Sequence, residues 1–200
     1  MTSRKWTVVT LALMVGCGGK YLTWKAKAPA PTVTGKVAIN VTDARTKEKD
    51  HRVVGLKPGY MNIPMAIRLE KDNDVADAVK ELFTQAALAS GIGVALPTDT
   101  ASTAKIAGTV QDFWCQGVPF VPFSFTASIK TTFTISDPGT GAVRSNADKM
   151  IFASETSTDC QAAFSKALNT ALTGAMQHFG QADVKGALTG AAPAAAPAAN

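Results

Sequence analysis

The clearest pattern in the chain is a strict alternation of apolar and polar positions over residues 123–136. Phe123, Phe125, Ala127, Ile129, Thr131, Phe133 and Ile135 share one side, and Ser124, Thr126, Ser128, Lys130, Thr132 and Thr134 share the other. Successive strand side chains point to opposite faces, so this is a strand with one packed face and one wet face. Val37, Ile39 and Val41 alternate with polar or small residues and predict an earlier strand, and His51 to Leu56 predict a short second one. Residues 57–68 carry Pro58, Gly59, Asn62 and Pro64 and read mainly as loop. Ile92, Val94 and Leu96 give another short strand. Lys105 to Trp114 give a longer one, with Ile106, Val110 and Trp114 on one face and Asp112 on the same side. Asp137-Pro-Gly-Thr-Gly141 is turn chemistry, after which Met150, Ile151 and Phe152 carry a return strand into the core.

Helical spacing takes over twice. Asp72, Asn73 and Asp74 offer caps to a helix whose apolar side is Val75, Ala78, Val79, Leu82, Phe83 and Ala86, with Gly91 as its stop. Thr158-Asp-Cys-Gln161 has capping-box spacing and opens a second helix with the stripe Phe164, Leu168, Ala171, Leu172, Ala175 and Phe179. Two one-sided helices can cover the packed face of one sheet. The expected fold is therefore α+β: a two-layer domain over residues 33–180, with one mainly antiparallel sheet of about five strands and two helices on one face. Residues 181–200 turn rich in Ala, Gly and Pro and read as a disordered tail, with a weak helix over Gln181 to Leu188 as the alternative.

The N-terminus has a different logic. Arg4 and Lys5 precede a mostly apolar run from Trp6 to Val15, then Gly16 and Cys17. A basic start, about ten apolar residues and a small residue form a secretory leader. The run is shorter than the ~20 residues that span a bilayer. Leu13-Met14-Val15-Gly16-Cys17 resembles the lipobox of bacterial lipoproteins, with Met14 where that motif usually has Leu. The resemblance implies that residues 1–16 are removed and that Cys17 carries acyl chains such as palmitate. Gly18 to Thr32 then read as a flexible tether, with Tyr21 and Trp24 close enough to the anchor to reach the membrane interface.

Loss of Arg4 and Lys5 with the leader leaves 18 basic against 15 acidic residues, a charge of about +3. No basic block stands out, which argues against nucleic acid as a partner. With Cys17 assigned to lipid, Cys115 and Cys160 remain. In an exported, oxidising setting the pair is expected to bridge, the alternative being two buried thiols.

The order of elements resembles the YajG-like lipoproteins of Gram-negative bacteria. The matching stretches are the lipobox at Cys17, Gly35-Lys-Val-Ala-Ile-Asn-Val with Asp43-Ala-Arg45, the helix from Asp74 to Gly91, the strands Ile106 to Asp112 and Ser128 to Ile135, and the helix Phe164 to Phe179. The resemblance implies attachment to the outer membrane facing the periplasm, and no established activity. Gly18 after the acylated cysteine agrees, since an Asp there would direct retention at the inner membrane.

The chain offers little catalytic chemistry. His51 and His178 have no Cys, Asp or Glu at metal-ligand spacing, so no metal or cofactor is expected. His178 near a helix C-terminus is accounted for by the dipole. Gly91-Ile-Gly93 follows a helix and lacks a third glycine, and no Ser sits in a nucleophile elbow. Asp43 and Arg45 read as a solvated turn, and an inward Asp112 would need a partner such as Arg45 or Arg68. The expectation is a non-catalytic binding or scaffold domain whose partners are the membrane, through Cys17, and an envelope protein. The alternative is a regulator or assembly factor of a cell-wall synthase or transport machine. The candidate contact is Phe113-Trp-Cys-Gln-Gly-Val-Pro-Phe-Val-Pro-Phe123, where Trp114, Val118, Phe120 and Val121 are apolar in a proline-bearing connection. Two readings stay open: these side chains fold back to cap the core, or they stay exposed as aromatic anchors.

Overall fold

A computed structural model describes residues 36–46, 52–58, 64–69, 74–95, 102–117, 124–144 and 149–190. Among these residues, seven strands are β1 (Lys36–Asp43), β2 (Val53–Pro58), β3 (Pro64–Arg68), β4 (Gly93–Val94), β5 (Ala104–Gly117), β6 (Phe125–Ser136) and β7 (Lys149–Ser157). Three helices are α1 (Val75–Ala89), α2 (Cys160–Gly180) and α3 (Ala182–Thr189). The strands form one sheet, and the α+β architecture expected from the pattern is the one observed.

The sheet is built around β5. Along one side β5 pairs antiparallel with β6, which pairs antiparallel with β7. Its other side is shared: Ala104 to Val110 run parallel to β1, and Cys115 and Gln116 run parallel to β2. β4 adds to β1 in parallel, and β3 closes the far end antiparallel to β2. The sheet has one strand beyond those read from the pattern. β3 lies in the stretch read as loop: Met65 to Arg68 alternate over too short a run to announce a strand, and pairing with β2 stabilises it. β4 is confined to two residues.

The helices form by the local rules anticipated. Asp74 caps α1 by accepting from the Ala76 N–H at 3.0 Å. α2 is capped by Asp159, which accepts from the Ala162 N–H at 2.8 Å, one residue later than the capping-box reading placed it. Val75, Ala78, Val79, Leu82, Phe83 and Ala86 of α1 are buried, as are Phe164, Leu168, Ala171, Ala175 and Phe179 of α2. Phe83, Phe133 and Phe179 meet with centroids 5.4–6.2 Å apart, joining both helices to β6. Such pairs add about 0.5–1.5 kcal/mol each beyond area burial. Gly108 makes room for this cluster. A Cβ there would lie 2.6 Å from Phe83 Cε2, so the ring lies against bare backbone.

The chain stays folded past Gly180: in the segment 181–200, the alternative of a helix over Gln181 to Leu188 is the reading observed, as α3. Only residues 191–200 of that segment lie outside the described residues. α3 buries Val184 and Leu188 completely and Ala187 nearly so. Small residues disguised it, because Ala and Gly lower apparent hydrophobicity while Val184 and Leu188 keep helical i, i+4 spacing. Its C-terminal carbonyls are satisfied from outside the helix. Thr103 Oγ1 donates to Leu188 O at 2.9 Å, and Arg144 Nη1 donates to Ala187 O at 3.3 Å and to Thr103 O. Arg144 is held in turn by an ion pair with Asp137 at the β6 turn.

Leu188→Ala is expected to cost about 2–5 kcal/mol in a denaturant melt, in the range for buried leucines; a loss below ~0.5 kcal/mol would mean that α3 is not part of the cooperative unit. The Asp137 carboxyl is lowered from 3.8 to about 2 by the Thr140 N–H, the Arg144 guanidinium and the Gly139 N–H. Folding therefore favours its charged form. Its contribution is full above pH 3.8 and lost as pH falls toward 2. An acid titration of stability should show that loss in the native chain and a flatter profile in Asp137→Asn.

Candidate functional site

The chemistry-bearing residues gather where β5 changes partner. β5 carries a bulge between Val110 and Asp112, where its register with β6 slips by one. Before the bulge, Ile106, Gly108 and Val110 face the helices; after it, Phe113 and Cys115 do. An extra residue in one strand reverses the facing of every residue beyond it. Asp112 and Trp114 consequently lie on the outer face, which corrects the reading that put both with Ile106 and Val110. Asp112 accepts a hydrogen bond from Ser128 Oγ, and Trp114 is half-buried opposite Ser128 in the register. No inward carboxylate has to be neutralised at this position.

Inward, Phe113 stacks on Phe164 with centroids 4.7 Å apart, and Cys115 is joined to Cys160, the first residue of α2. Their Cα atoms are 6.0 Å apart and the bridge spans 45 residues. On the chain-entropy account such a loop is worth roughly 4 kcal/mol. The expected bridge is therefore present, and it fastens the N-terminus of α2 to β5. Gly55 lets β2 lie against β5 at this point, since a Cβ there would sit 2.1 Å from Cys115 O.

Asp43 and Arg45 correct the reading of a solvated turn. Their side chains are 7% and 8% exposed, and they form a fork: Nε to Oδ1 at 2.9 Å and Nη2 to Oδ2 at 2.8 Å. Arg45 Nη1 also donates to Val53 O at 3.0 Å and Phe113 O at 3.1 Å. β1 ends at Asp43 and β2 begins at Val53, so the guanidinium fills the interval along β5 that neither strand covers. It supplies donors to carbonyls that a continuous ladder would have satisfied. The spacing of Asp43 and Arg45 gives no sign of this, because the carbonyls that Arg45 serves lie on two other strands, β2 and β5.

Of the candidate contact residues, Trp114 is on the outer face, while Val118, Phe120 and Val121 lie outside the described residues, as does Cys17. The strands that carry the connection are nonetheless fixed: Gly117 pairs with Phe125, and Phe125 packs against the core. His178 lies in the last turn of α2, its ring edge-on to Phe133 at 6.1 Å, with Nδ1 buried and without a hydrogen-bond partner. His51 lies outside the described residues. Among the described residues, no three His, Cys, Asp or Glu side chains converge as a metal site would require, and no helix is long and apolar enough to cross a membrane.

Sequence reasoning missed two surface residues. Met150 and Phe152, read as core, are 53% and 59% exposed on the outer face, while Ile151 between them is buried. Period-two alternation contains that answer, since three consecutive strand residues cannot all face inward.

No protein-family model matches the chain, and no curated protein matches it in sequence. Solved structures do. A Xanthomonas campestris protein of the DUF330 family is similar over 78% of this chain and 91% of its own, at 15% identity and a TM-score of 0.54. That likeness shows a shared fold. A minor lipoprotein from Acinetobacter baumannii is more distant, at 12% identity over 76% of this chain and 94% of its own, with a TM-score of 0.42. PelC from Paraburkholderia phytofirmans, solved as a dodecamer, stands at 13% identity over 76% and 95%, with a TM-score of 0.40.

Arg45→Met should destabilise the domain by about 3–5 kcal/mol, as loss of one partner of a buried ion pair does. The double change with Asp43→Asn should cost less than the two single changes together. Additive losses in urea melts would show that the two residues are not coupled.

Proposed function

We propose that the chain is a lipid-anchored domain of the bacterial envelope, held at the outer membrane through Cys17 and facing the periplasm. In this reading it acts as a non-catalytic binding or scaffold module. The observation that carries it is the N-terminal order: a basic start, a short apolar run, and Gly16 before Cys17. The element order of YajG-like lipoproteins supports the same class, and the fold is one shared with the Xanthomonas protein. The domain suits a tethered role. Cys115–Cys160 is a bond of oxidising compartments, and it stiffens the end of the sheet beside Trp114. The partner surface we assign is the outer face around Trp114 together with the connection holding Val118, Phe120 and Val121.

Mass spectrometry of the mature protein should find Cys17 as the first residue, carrying acyl chains, and membrane fractionation should place it in the outer membrane. Cys17→Ser should release the protein into the soluble fraction or leave it as uncleaved precursor. Each buried methylene contributes ~0.8 kcal/mol, so two or three acyl chains make dissociation of the native form negligible. An unmodified Cys17 on a membrane-bound mature chain would exclude this anchor.

A further inference from the structure

Among the described residues the sheet has three outer strands, and they are not equally guarded. β4 is two residues long. β3 contains Pro64 and ends in Arg68, and its register with β2 is interrupted between Val53 and Gly55. Shortness, proline, charge and irregularity are the devices by which edges refuse further strands. β7 has none of them at its centre. It pairs with β6 over nine consecutive positions without a bulge, and Met150 to Ser154 contain neither charge nor proline. Among the described residues, the large apolar side chains that remain exposed are Val143, Met150 and Phe152, and all three lie on this side of β6, Val143 through its bridge to Ser136.

The backbone parity of the edge follows from one bond. Arg144 N–H donates to Ile135 O at 2.8 Å on the side of β6 where β7 also pairs. Alternation then turns the peptide groups of Ile151 and Ala153 toward β6, opposite Thr131 and Ile129. Those of Met150, Phe152 and Ser154 point away from the sheet. Thr156 belongs to the same outward set, and its carbonyl accepts from Lys166 Nζ at 3.3 Å, which closes the open stretch at that end.

We propose that this edge pairs antiparallel with the same edge of a second copy, about a two-fold axis through Phe152. In that register Phe152 faces its own counterpart, Met150 faces Ser154, and Ile151 faces Ala153. Lys149 faces Glu155 twice per dimer, and these are the only charged residues of β7. Opposite charges directly across a strand pair are favourable. Centring the axis on Ile151 or Ala153 removes both charge pairs. The complementarity of this strand with itself is what selects a second copy over an extended peptide from another protein. Both charged side chains already sit on the helix side of the strand: Lys149 lies 3.7 Å from Asp183, and Glu155 accepts from Thr170 Oγ1 at 2.8 Å. The pairing is isologous and closes on itself. It would continue two seven-stranded sheets into one, with the helices of both copies on the same side.

The test is cysteine linkage in the full chain in its own membranes. Residues 152 of the two copies would form a hydrogen-bonded pair with Cα atoms about 5.5 Å apart, inside the disulfide range of about 4.4–6.8 Å. Phe152→Cys should therefore give a reducible homodimer on a non-reducing gel, because the side chain is exposed and Cys115 and Cys160 are already bonded to each other. Ser154→Cys should give none, since its two copies would stand four residues, roughly 14 Å, apart. Adding Lys149→Glu to Phe152→Cys should weaken dimer formation roughly tenfold, and adding Glu155→Lys as well should restore it. A Phe152→Cys chain that stays single, links only to a different protein, or links no better than Ser154→Cys overturns the proposal. So does a charge reversal that leaves the yield unchanged or is not rescued by the swap.

Discussion

The guanidinium of Arg45 fills the interval along β5 that neither β1 nor β2 covers. β5 has a single side to offer both β1 and β2, and the two strands meet it end to end with an interval between them. Arg45 spans that interval with bonds to Val53 O and Phe113 O, while Asp43 fixes its plane. The bulge between Val110 and Asp112 sits beside it and reverses the facing of β5 beyond that point. Because of that reversal, Phe113 reaches Phe164 and Cys115 reaches Cys160. One buried ion pair and one extra residue thus determine how α2 is attached.

That dependence divides the sheet into two mechanical halves. Upstream of the bulge, β5 is clasped by β1 and roofed by α1 through Phe83 over Gly108. Downstream, it is held by the stacked Phe113 and Phe164 rings and the disulfide. The connection between β5 and β6 springs from the downstream half, the part that the disulfide and the stacked rings fasten to α2.

The elements whose signal is local were readable from the chain: α1, α2, β6 and the pairing of Cys115 with Cys160. What was not readable depended on contacts between remote segments. Trp114 and Asp112 were placed on the wrong face because a bulge leaves no mark in residue type, only in register. β3 was lost because five residues around Pro64 carry a weak pattern until β2 lies beside them. Arg45 looked solvent-bound because the carbonyls it serves are on β2 and β5. Met150 and Phe152 are a different case: the alternation was legible, and hydrophobic identity was allowed to override it. Of the candidate site, Trp114 lies on the outer face and not beside Ile106 and Val110. Val118, Phe120 and Val121 lie outside the described residues.

Thr103 has one further implication. Its N–H donates to Lys36 O at 2.7 Å, and its hydroxyl, with one proton to give, lies between Lys36 O at 2.8 Å and Leu188 O at 2.9 Å. A single residue near the middle of the chain therefore ties the first strand to the last helix. Contacts of such sequence separation form late, because the intervening chain must be ordered before they are rewarded. The tie between β1, the start of β5 and α3 is therefore complete only when the chain is present through residue 188.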